Sequence, residues 1–426
     1  MTEMIASQFK KQKFENTWMK NLKSDAFARF SVLGFPTLKN EEWKYTNVEA
    51  ITRLPFEFAE SSSLDSLKCS EEASACLVFV NGFYSEKLSQ VKNLPSGILL
   101  GSLSDFIQKK PELIQEHLSK YSSYQKHPFV ALNTAFVREG AFVFIPKGIT
   151  LEKPIEIIFI SESSRTFVVQ PRNLIVAESA SQATIVEHYI GKDAVYLTNA
   201  VTEIFAADSA VIEHVKVQEE SEKAYHIFSL GIQQERQSNV TSHSISLGAA
   251  LSRHDLSSVL NAEGSECVMN GLYLTFGSQH VDHHTLIDHA KPHCVSQELY
   301  KGILADKSRG VFNGKVIVRP NAEKTNSSQS NKNLLLSDEA EIDTEPLLEI
   351  FNNDVKCSHG ASTGHLDPKQ IFYLRSRGIS EDYARSMLTY AFAGEVIDKL
   401  KIPSLRESLQ KKLFDRLMSK NQGRHL

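Results

Sequence analysis

The sequence predicts a mainly β protein with helical flanks, and the spacing of its apolar residues carries this prediction. Between Ala141 and about Val355, short runs rich in Val, Ile, Thr and Phe alternate with polar residues, with turn residues about every 10 positions. On either side of this stretch, apolar residues recur at helical spacing. Many short strands in succession indicate a large all-β unit, and composition leaves a sandwich and a parallel β-solenoid both open.

The N-terminal flank is predicted to begin with a single helix over residues 1–34. Gly34 would end this helix, because glycine readily adopts the left-handed conformation of a C-terminal cap. Further helical segments are expected over 104–138, with Ser104 as a candidate N-cap and Gly140 as a stop. The apolar stripe of the first helix consists of Phe14, Trp18, Leu22, Ala26, Phe30 and Leu33.

The C-terminal flank, residues 368–420, is also predicted to be helical. Ser380 suits a helix start, Pro403 breaks the helix, and Ser404 with Glu407 has the S-x-x-E spacing of a capping box. The stripe of the first C-terminal helix consists of Tyr383, Met387, Tyr390 or Ala391, Gly394, Ile397 and Leu400. The next helix repeats Leu405, Leu409, Leu413 and Leu417. Such faces pack either on the protein's own domain or on a partner.

Length and charge exclude several classes of protein. With 426 residues the chain is long enough for two or three structural units. The formal charge is −4 with both signs interspersed, and there are no Lys/Arg blocks with interleaved aromatic residues, so we expect no nucleic-acid partner. No run approaches the roughly 20 apolar residues that span a bilayer, and the N-terminus has no apolar signal-peptide core. We therefore expect a cytoplasmic protein that does not bind membranes.

The cysteines are few and far apart. An odd, scattered set in a large chain argues against a disulfide framework. No pair has the C-x-x-C spacing of zinc ribbons or ferredoxins, so the chain alone lacks the usual ligands of an iron–sulfur cluster. The five residues are Cys69, Cys76, Cys267, Cys294 and Cys357.

The segment DVKCSHGASTG, residues 354–364, contains the most informative pair of side chains. In a strand, Cys357 and His359 would point to the same side, roughly 7 Å apart. A thiolate beside an imidazole can take up sulfur or a transition metal, but a closed metal site needs four ligands. The pair is therefore interpreted as half of a site that another chain completes. The alternative is a buried cysteine beside a hydrogen-bonded histidine.

A histidine cluster between residues 280 and 293 suggests a second metal hypothesis. Alternation in a strand would place His280, Asp282 and His284 on one face and His283 on the other, whereas a helix would bring His280 and His284 together. The spacing matches no zinc motif that we know, and such residues more often form hydrogen-bonded ladders or contact a partner. The secondary metal candidates are His280, His284, His289 and Cys294.

No constellation of catalytic residues stands out. A carbohydrate-active β-solenoid enzyme would need clustered carboxylates in a cleft, whereas the acidic run at 338–345 reads as solvated turns. The chain has no G-x-S-x-G, H-E-x-x-H or P-loop motif. The sequence therefore predicts a protein that is not an enzyme, and any ATP hydrolysis would come from another subunit.

Four segments resemble the SufB/SufD family of the SUF iron–sulfur cluster assembly system, within a match from about residue 125 to 400. They are ALNTAFVREGAFVFIPKG (131–148), HVDHHTLIDHAKPHCVSQ (280–297), NGKVIVRPNAEKTNSSQSNKNLLLSDEAEIDTEPLLEI (313–350) and NNDVKCSHGASTGHLDPKQIFYLRSRGIS (352–380). LGFPTLKNEEWKYT (33–46) is similar to the opening motif of the SufD branch, which favours SufD over SufB. The resemblance implies a right-handed parallel β-helix core over 141–366. An N-terminal helical domain with a connector (1–140) and a C-terminal helical domain (367–426) would flank this core.

The resemblance also implies partners. The chain would be a non-catalytic subunit of a SufB–SufC–SufD complex that assists iron acquisition. It would pair with SufB through the β-helix cores, and a homodimer of the isolated chain by the same edge is a further expectation. The SufC ATPase would dock on the C-terminal helices. The residues expected to contact SufC are Tyr383, Met387, Tyr390 and Ala391.

The resemblance places a nascent-cluster site between the two cores. His359 matches the histidine that the family contributes to that interface, and Cys357 is a further candidate. We expect no cofactor bound stably to the chain alone, but transient iron or an Fe–S cluster at the interface with SufB. The alternative is a SufB-like scaffold that itself ligates the cluster.

Overall fold

Two parallel β-sheets lie at the centre of the molecule, and consecutive strands alternate between them, so that the chain winds as a β-solenoid. The computed structural model describes residues 2–53, 57–60, 64–91, 94–162 and 165–422. Helices lie before and after the solenoid along the chain. The predicted mainly β fold with helical flanks is therefore confirmed, as a parallel solenoid rather than a sandwich.

The helices of the described ranges fall into an N-terminal and a C-terminal group. They are α1 (Thr2–Lys10), α2 (Thr17–Leu33), a short 3-10 helix (Glu41–Trp43), α3 (Glu49–Arg53), α4 (Leu103–Lys109), α5 (Pro111–His117), α6 (Pro128–Ala135), α7 (Pro368–Ser376), α8 (Glu381–Ile397) and α9 (Pro403–Gln422).

The strands become longer and more regular after the first quarter of the chain. They are β1 (Glu57–Phe58), β2 (Ala75–Val80), β3 (Phe83–Tyr84), β4 (Gln90–Val91), β5 (Leu99–Ser102), β6 (Ala141–Ile145), β7 (Ile155–Ser161), β8 (Phe167–Val169), β9 (Arg172–Ala177), β10 (Gln182–Gly191), β11 (Tyr196–Ala206), β12 (Val211–Glu219), β13 (Tyr225–Gln234), β14 (Asn239–Ser246), β15 (Leu251–Leu260), β16 (Glu266–Thr275), β17 (His280–His289), β18 (Val295–Leu304), β19 (Arg309–Val318), β20 (Asn326–Leu335), β21 (Glu341–Ile350) and β22 (Lys356–Gly364).

Strand order follows directly from the winding. The first sheet has the order β21-β19-β17-β15-β13-β11-β9-β6-β5, with β8 beside β11 and β1 beside β8. The second has the order β22-β20-β18-β16-β14-β12-β10-β7-β2-β3, with β4 beside β2. The pairs β2–β3, β2–β4 and β5–β6 are antiparallel, whereas neighbours in the coils are parallel. The segment from β2 to β5 therefore adds strands to the start of both sheets.

One inward-facing column shows how the interior changes along the solenoid. The first residues of the column pack in the apolar core between the sheets. The next two are hydroxyl residues, Ser296 and Ser327, which are also buried. The interior therefore changes from apolar to polar towards the C-terminal coils. In strand order the column consists of Ala183, Ile212, Val240, Cys267, Ser296, Ser327 and Cys357.

Two glycines make room for tyrosine rings inside the middle coils. Gly271 pairs with Tyr300, and Gly302 pairs with Tyr273. A Cβ atom on Gly271 would lie 2.1 Å from Cε1 of Tyr300, and one on Gly302 would lie 2.2 Å from Cε2 of Tyr273. Because real Cβ contacts are much longer, these positions require glycine to keep the close packing of the core.

The N-terminal helices differ from the sequence prediction. The single helix expected over 1–34 is two helices, because the Oδ1 atom of Asn16 accepts a 2.9 Å hydrogen bond from the backbone of Met19 and caps a new helix there. Gly34 ends α2 with a φ of 63°, as predicted. The helical segments expected over 104–138 are three short helices, α4, α5 and α6. Ser104 lies inside α4, and proline occupies the start of both α5 and α6, where its missing N–H costs nothing.

The C-terminal helices pack on the outer face of the second sheet. The leucine repeat of α9 and the end of α8 form one buried cluster with residues of the even-numbered strands β12, β14, β16 and β18. This confirms the interpretation that these faces pack on the protein's own domain. The capping box expected from Ser404 and Glu407 is wrong, because α9 begins at Pro403 and the Ser404 hydroxyl donates instead to Glu72 at 2.5 Å.

Cys69 and Cys76 correct the interpretation of the cysteines. The sequence analysis argued against disulfides, but these two residues are joined by one, with their Cα atoms 6.1 Å apart. Cys76 lies on β2, and the segment before this strand folds back over the apolar residues of the same face. The other cysteines are free thiols, and they are Cys267, Cys294 and Cys357.

Candidate functional site

The last coil of the solenoid leaves an open end, which we define as strands β21 and β22. Among the described strands, β21 pairs only with β19, and β22 pairs only with β20. Leu347, Ile350 and Phe351 at this end are 45%, 40% and 61% exposed. Unpaired strand edges with exposed apolar side chains invite pairing with another chain.

Cys357 and His359 both lie on the open-end strand β22, so the predicted strand is present. Alternation along a strand places the two side chains on the same face, which is the inward one because Cys357 packs against the core. His359 is exposed, since no described strand covers it from the next coil position. Burial raises the pKa of the Cys357 thiol, although a hydrogen bond from the backbone of Ser327 opposes this shift.

The pair by itself is not a metal centre. Across the described ranges, no three His, Cys, Asp or Glu side chains are grouped closely enough to hold a metal ion. A cluster or a tetrahedral metal needs four ligands. The open end thus offers a thiol and an imidazole, which are two of the four ligands that such a site needs.

Polar side chains fill the interior directly beneath the pair. On β20 the inward-facing residues up to Asn333 are polar and buried, and they alternate with exposed or half-buried ones. Nε2 of Gln329 donates a 2.6 Å hydrogen bond to Oε2 of Glu298. Burial raises the pKa of Glu298 to about 7, although Thr285 and Gln329 act to lower it. The inward-facing set on β20 consists of Ser327, Gln329, Asn331 and Asn333.

The histidine cluster lies on strand β17, as alternation predicted. Oγ1 of Thr46 lies 2.8 Å from Nε2 of His280, and Oδ1 of Asp282 lies 3.1 Å from Nε2 of His284. Burial alone would lower the pKa of His284, but Asp282 and Glu42 raise it to about 9. This face of β17 therefore contacts the N-terminal segment through Thr46 and Glu42.

The remaining secondary metal candidates point elsewhere. His289 faces the interior, where Nε2 lies 2.8 Å from Oγ of Ser296, and burial lowers its pKa to about 4. Cys294 is buried, with Sγ 3.3 Å from Oγ of Ser265. The structure separates these two from His280 and His284, so the four residues do not meet at one point.

The residues expected to contact SufC form a partly exposed patch at the start of α8. Tyr383 and Met387 are 42% and 36% exposed, Ala391 is exposed, and Tyr390 is half-buried. The rings of Tyr383 and Tyr390 make edge contacts with Phe414 of α9, at 5.5 and 6.2 Å. The later members of the predicted stripe, from Gly394 onward, are buried against the solenoid.

Sequence reasoning missed the polar residues beneath the open end and the apolar residues on it. A signal for the first was available in SSQSNKNLL (327–335), where every position before the two final leucines is polar although the segment is a strand. The low apolar content of this segment is typical of a loop, so the sequence does not indicate a strand there. Leu347, Ile350 and Phe351 follow the acidic run at 338–345, which was interpreted as solvated turns. Its first residues do form a turn, but 341–345 are the start of β21.

Within the described ranges, none of the helices is both long and apolar enough to cross a bilayer.

The fold and the open end define a class of protein: a two-sheet β-solenoid with helices at both ends and a pair of metal-type donors on its last strand. Residues 159–392 match the family model described as SUF system FeS cluster assembly, SufBD core domain, and residues 6–157 match the SufBD protein N-terminal region. The chain therefore belongs to the SufBD family.

Individual relatives cover nearly the whole chain. It is 34% identical over 400 residues to the iron-sulfur cluster assembly protein SufD of Escherichia coli K12, covering 90% of each chain. It is also 34% identical over 411 residues to the SufBD family protein slr0076 of Synechocystis, covering 93% of this chain and 90% of that protein. SufD of Bacillus subtilis is 27% identical over 424 residues, or 94% of each chain. The resemblance to the SufD branch is confirmed.

Proposed function

We propose that this chain is a non-catalytic, cytoplasmic subunit of a SufB–SufC–SufD complex that assembles iron–sulfur clusters. Its open end pairs with SufB, and the two cores enclose the nascent-cluster site. His359 is the ligand that this chain contributes, with Cys357 as a second donor. Iron and the cluster are cargo, so the chain holds neither stably by itself.

The observation that carries the proposal is the state of the last coil. Two unpaired strand edges, exposed apolar side chains and a pair of metal-type donors occur together at the open end. An edge of this kind favours strand-to-strand pairing, and two donors favour a site that the partner completes. Two donors at a solvent-facing end of the solenoid do not complete a metal site unless a partner supplies further ligands.

The exposed patch at the start of α8 supports a docking role for the C-terminal helices. Tyr383 and Met387 remain exposed while the rest of their stripe is buried, and both types are common at interfaces. In the proposed complex, the SufC ATPase binds this patch. Because α8 and α9 pack on the second sheet, and β22 is the last strand of that sheet, movement of SufC would be transmitted through the sheet to the strand that carries His359.

The test is anaerobic copurification with SufB and SufC, followed by cluster formation in the complex. We expect His359→Ala to assemble with both partners but to lose cluster maturation. Ser358→Ala is the matched control, since Ser358 lies on the same strand and its side chain points to the opposite face. If His359→Ala fails to assemble, or matures clusters normally, the proposed role of His359 is wrong. A stable cluster on the isolated chain would favour the alternative, a SufB-like scaffold.

A further inference from the structure

The strand register stacks one column of side chains beneath His359. Glu298 on β18 pairs with Gln329 on β20, and Gln329 pairs with His359 on β22. Neighbouring parallel strands lie about 4.8 Å apart, so each side chain of the column lies directly against the next. The column runs from the buried interior to the exposed histidine.

The side-chain amide of Gln329 is hydrogen-bonded through its nitrogen, whereas its oxygen is unpaired. Nε2 donates to Oε2 of Glu298 at 2.6 Å, which orients the amide. Oε1 is buried and has no hydrogen-bond partner among the described residues. An unpaired buried acceptor costs about 1–3 kcal/mol, so a native structure that keeps one usually has a use for it.

The opposite sheet leaves space for this amide. Gly314 on β19 faces Gln329, and a Cβ atom there would lie 2.2 Å from Nε2. A glycine on this strand therefore keeps room for a polar side chain that an apolar core would not need. Gln329 is 3% exposed, so the protein interior rather than solvent sets the position of its side chain.

A histidine that binds a metal through one ring nitrogen usually donates the N–H of the other nitrogen to a carbonyl or carboxylate. That hydrogen bond fixes the tautomer and the direction of the ring. The neighbour of His359 in register on β20 is Gln329, with its unpaired Oε1.

We propose that Gln329, held by Glu298, is a positioning residue that accepts the imidazole N–H of His359 when His359 binds metal. This inference rests on the proposed function, since it needs His359 to be a ligand. It adds a role for two buried residues that do not contact the metal. Glu298 and Gln329, which are buried, thus orient the exposed His359 from the side of the preceding coils.

The test is anaerobic titration of Co²⁺ into the chain, alone and paired with SufB, followed by visible absorption. Gln329→Met removes the acceptor at nearly constant volume, and we expect Co²⁺ affinity to fall about 10–100-fold, the usual effect of losing such a partner. Gln329→Glu keeps an acceptor oxygen but replaces the amide donor to Glu298 with a proton shared between two carboxyl groups, so it should retain more of the affinity than Gln329→Met does. Thermal denaturation of each variant shows whether it is folded.

Asn333→Leu is the matched control. Asn333 is buried on the same strand and is as strongly hydrogen-bonded, to Tyr273 and Asn331, but its column ends at Thr363. The Asn333→Leu variant should leave the Co²⁺ affinity unchanged. The inference is overturned if Gln329→Met binds Co²⁺ as the wild type does while His359→Ala does not, or if Asn333→Leu weakens binding equally. If His359→Ala has no effect, the ligand role fails as well.

Discussion

The hydroxyl of Thr46 donates a 2.6 Å hydrogen bond to Oδ2 of Asp282, and this contact joins the N-terminal segment to the middle of the solenoid. Both residues are buried. Nη1 of Arg253 donates to the same oxygen at 2.8 Å, and the guanidinium lies 3.8 Å from the ring centroid of Trp43. One residue before Thr46, Tyr45 donates to Glu345 of β21 at 2.9 Å. Residues 42–46 therefore form a strap from the middle coils to the open end.

The first prediction concerns the buried charge beneath the strap. Asp282→Ala leaves Arg253 without one of its two carboxylate partners in a fully buried position. Breaking a buried ion pair typically costs about 3–5 kcal/mol, so we expect the free energy of unfolding to fall by about that amount in urea denaturation. Asp193→Ala removes the exposed pair with Lys223 and should change stability by less than about 0.5 kcal/mol. Equal effects of the two variants would refute the account of the strap.

The second prediction is a pH dependence of the same site. Asp282 and Glu42 raise the pKa of His284 to about 9 in the folded chain, against a burial effect that lowers it, whereas an unfolded histidine titrates near about 6.5. A raised folded pKa means that this contribution is complete below about pH 6.5 and is lost as the pH rises through about 9. The contribution is about 3 kcal/mol.

The matched variant for this test is His284→Gln. Subtracting its free energy of unfolding from that of the wild type at each pH isolates His284 from the other titrating groups. We expect the difference to be largest near pH 6 and to shrink towards pH 9.5. A difference that stays constant over this range would mean that His284 does not gain a proton on folding.

The third prediction concerns the open end. Phe351 is 61% exposed, so Phe351→Asp should leave the fold intact and prevent pairing with SufB, and also any homodimer of the isolated chain. Val32→Asp is the control, since Val32 is 75% exposed on α2. Light scattering coupled to size-exclusion chromatography gives the mass of each complex. Pairing that survives Phe351→Asp and Leu347→Asp would place the interface elsewhere.

The fourth prediction separates docking from folding in the C-terminal helices. Met387→Glu should abolish SufC binding without changing thermal stability, because the side chain lies on the exposed part of α8. Leu413→Ala should destabilise the protein by about 2–5 kcal/mol, since Leu413 is 1% exposed in the cluster against the second sheet. Calorimetric titration with SufC measures binding. Unchanged affinity for Met387→Glu would show that SufC binds another surface.

Periodicity in the sequence was enough to find most of the helices and strands but not the pairing of the strands. ATIVEH (183–188) and AVIEHV (210–215) resemble each other and do lie on neighbouring strands, β10 and β12. Their similar letters are not in register, since Glu187 pairs with Lys216 rather than with Glu213. Register depends on the length of each turn between sheets, which local patterns do not report. The break after α1 was missed because the apolar stripe continues through Phe14.

The candidate site was likewise predictable only within a single strand, and not across neighbouring strands. Alternation alone placed Cys357 and His359 on one face of one strand. The side chains beneath them, Gln329 and Glu298, lie far upstream in sequence and become neighbours only through the parallel register. The disulfide of Cys69 and Cys76 depends likewise on how a loop folds back over β2.

The most direct test of the central claim is anaerobic iron and sulfide reconstitution, measured by native mass spectrometry on the chain alone and on its pair with SufB. The account predicts that the lone chain retains no stoichiometric cluster, that the pair does, and that His359→Ala removes the cluster from the pair without separating it. A cluster of full stoichiometry on the lone chain would contradict it.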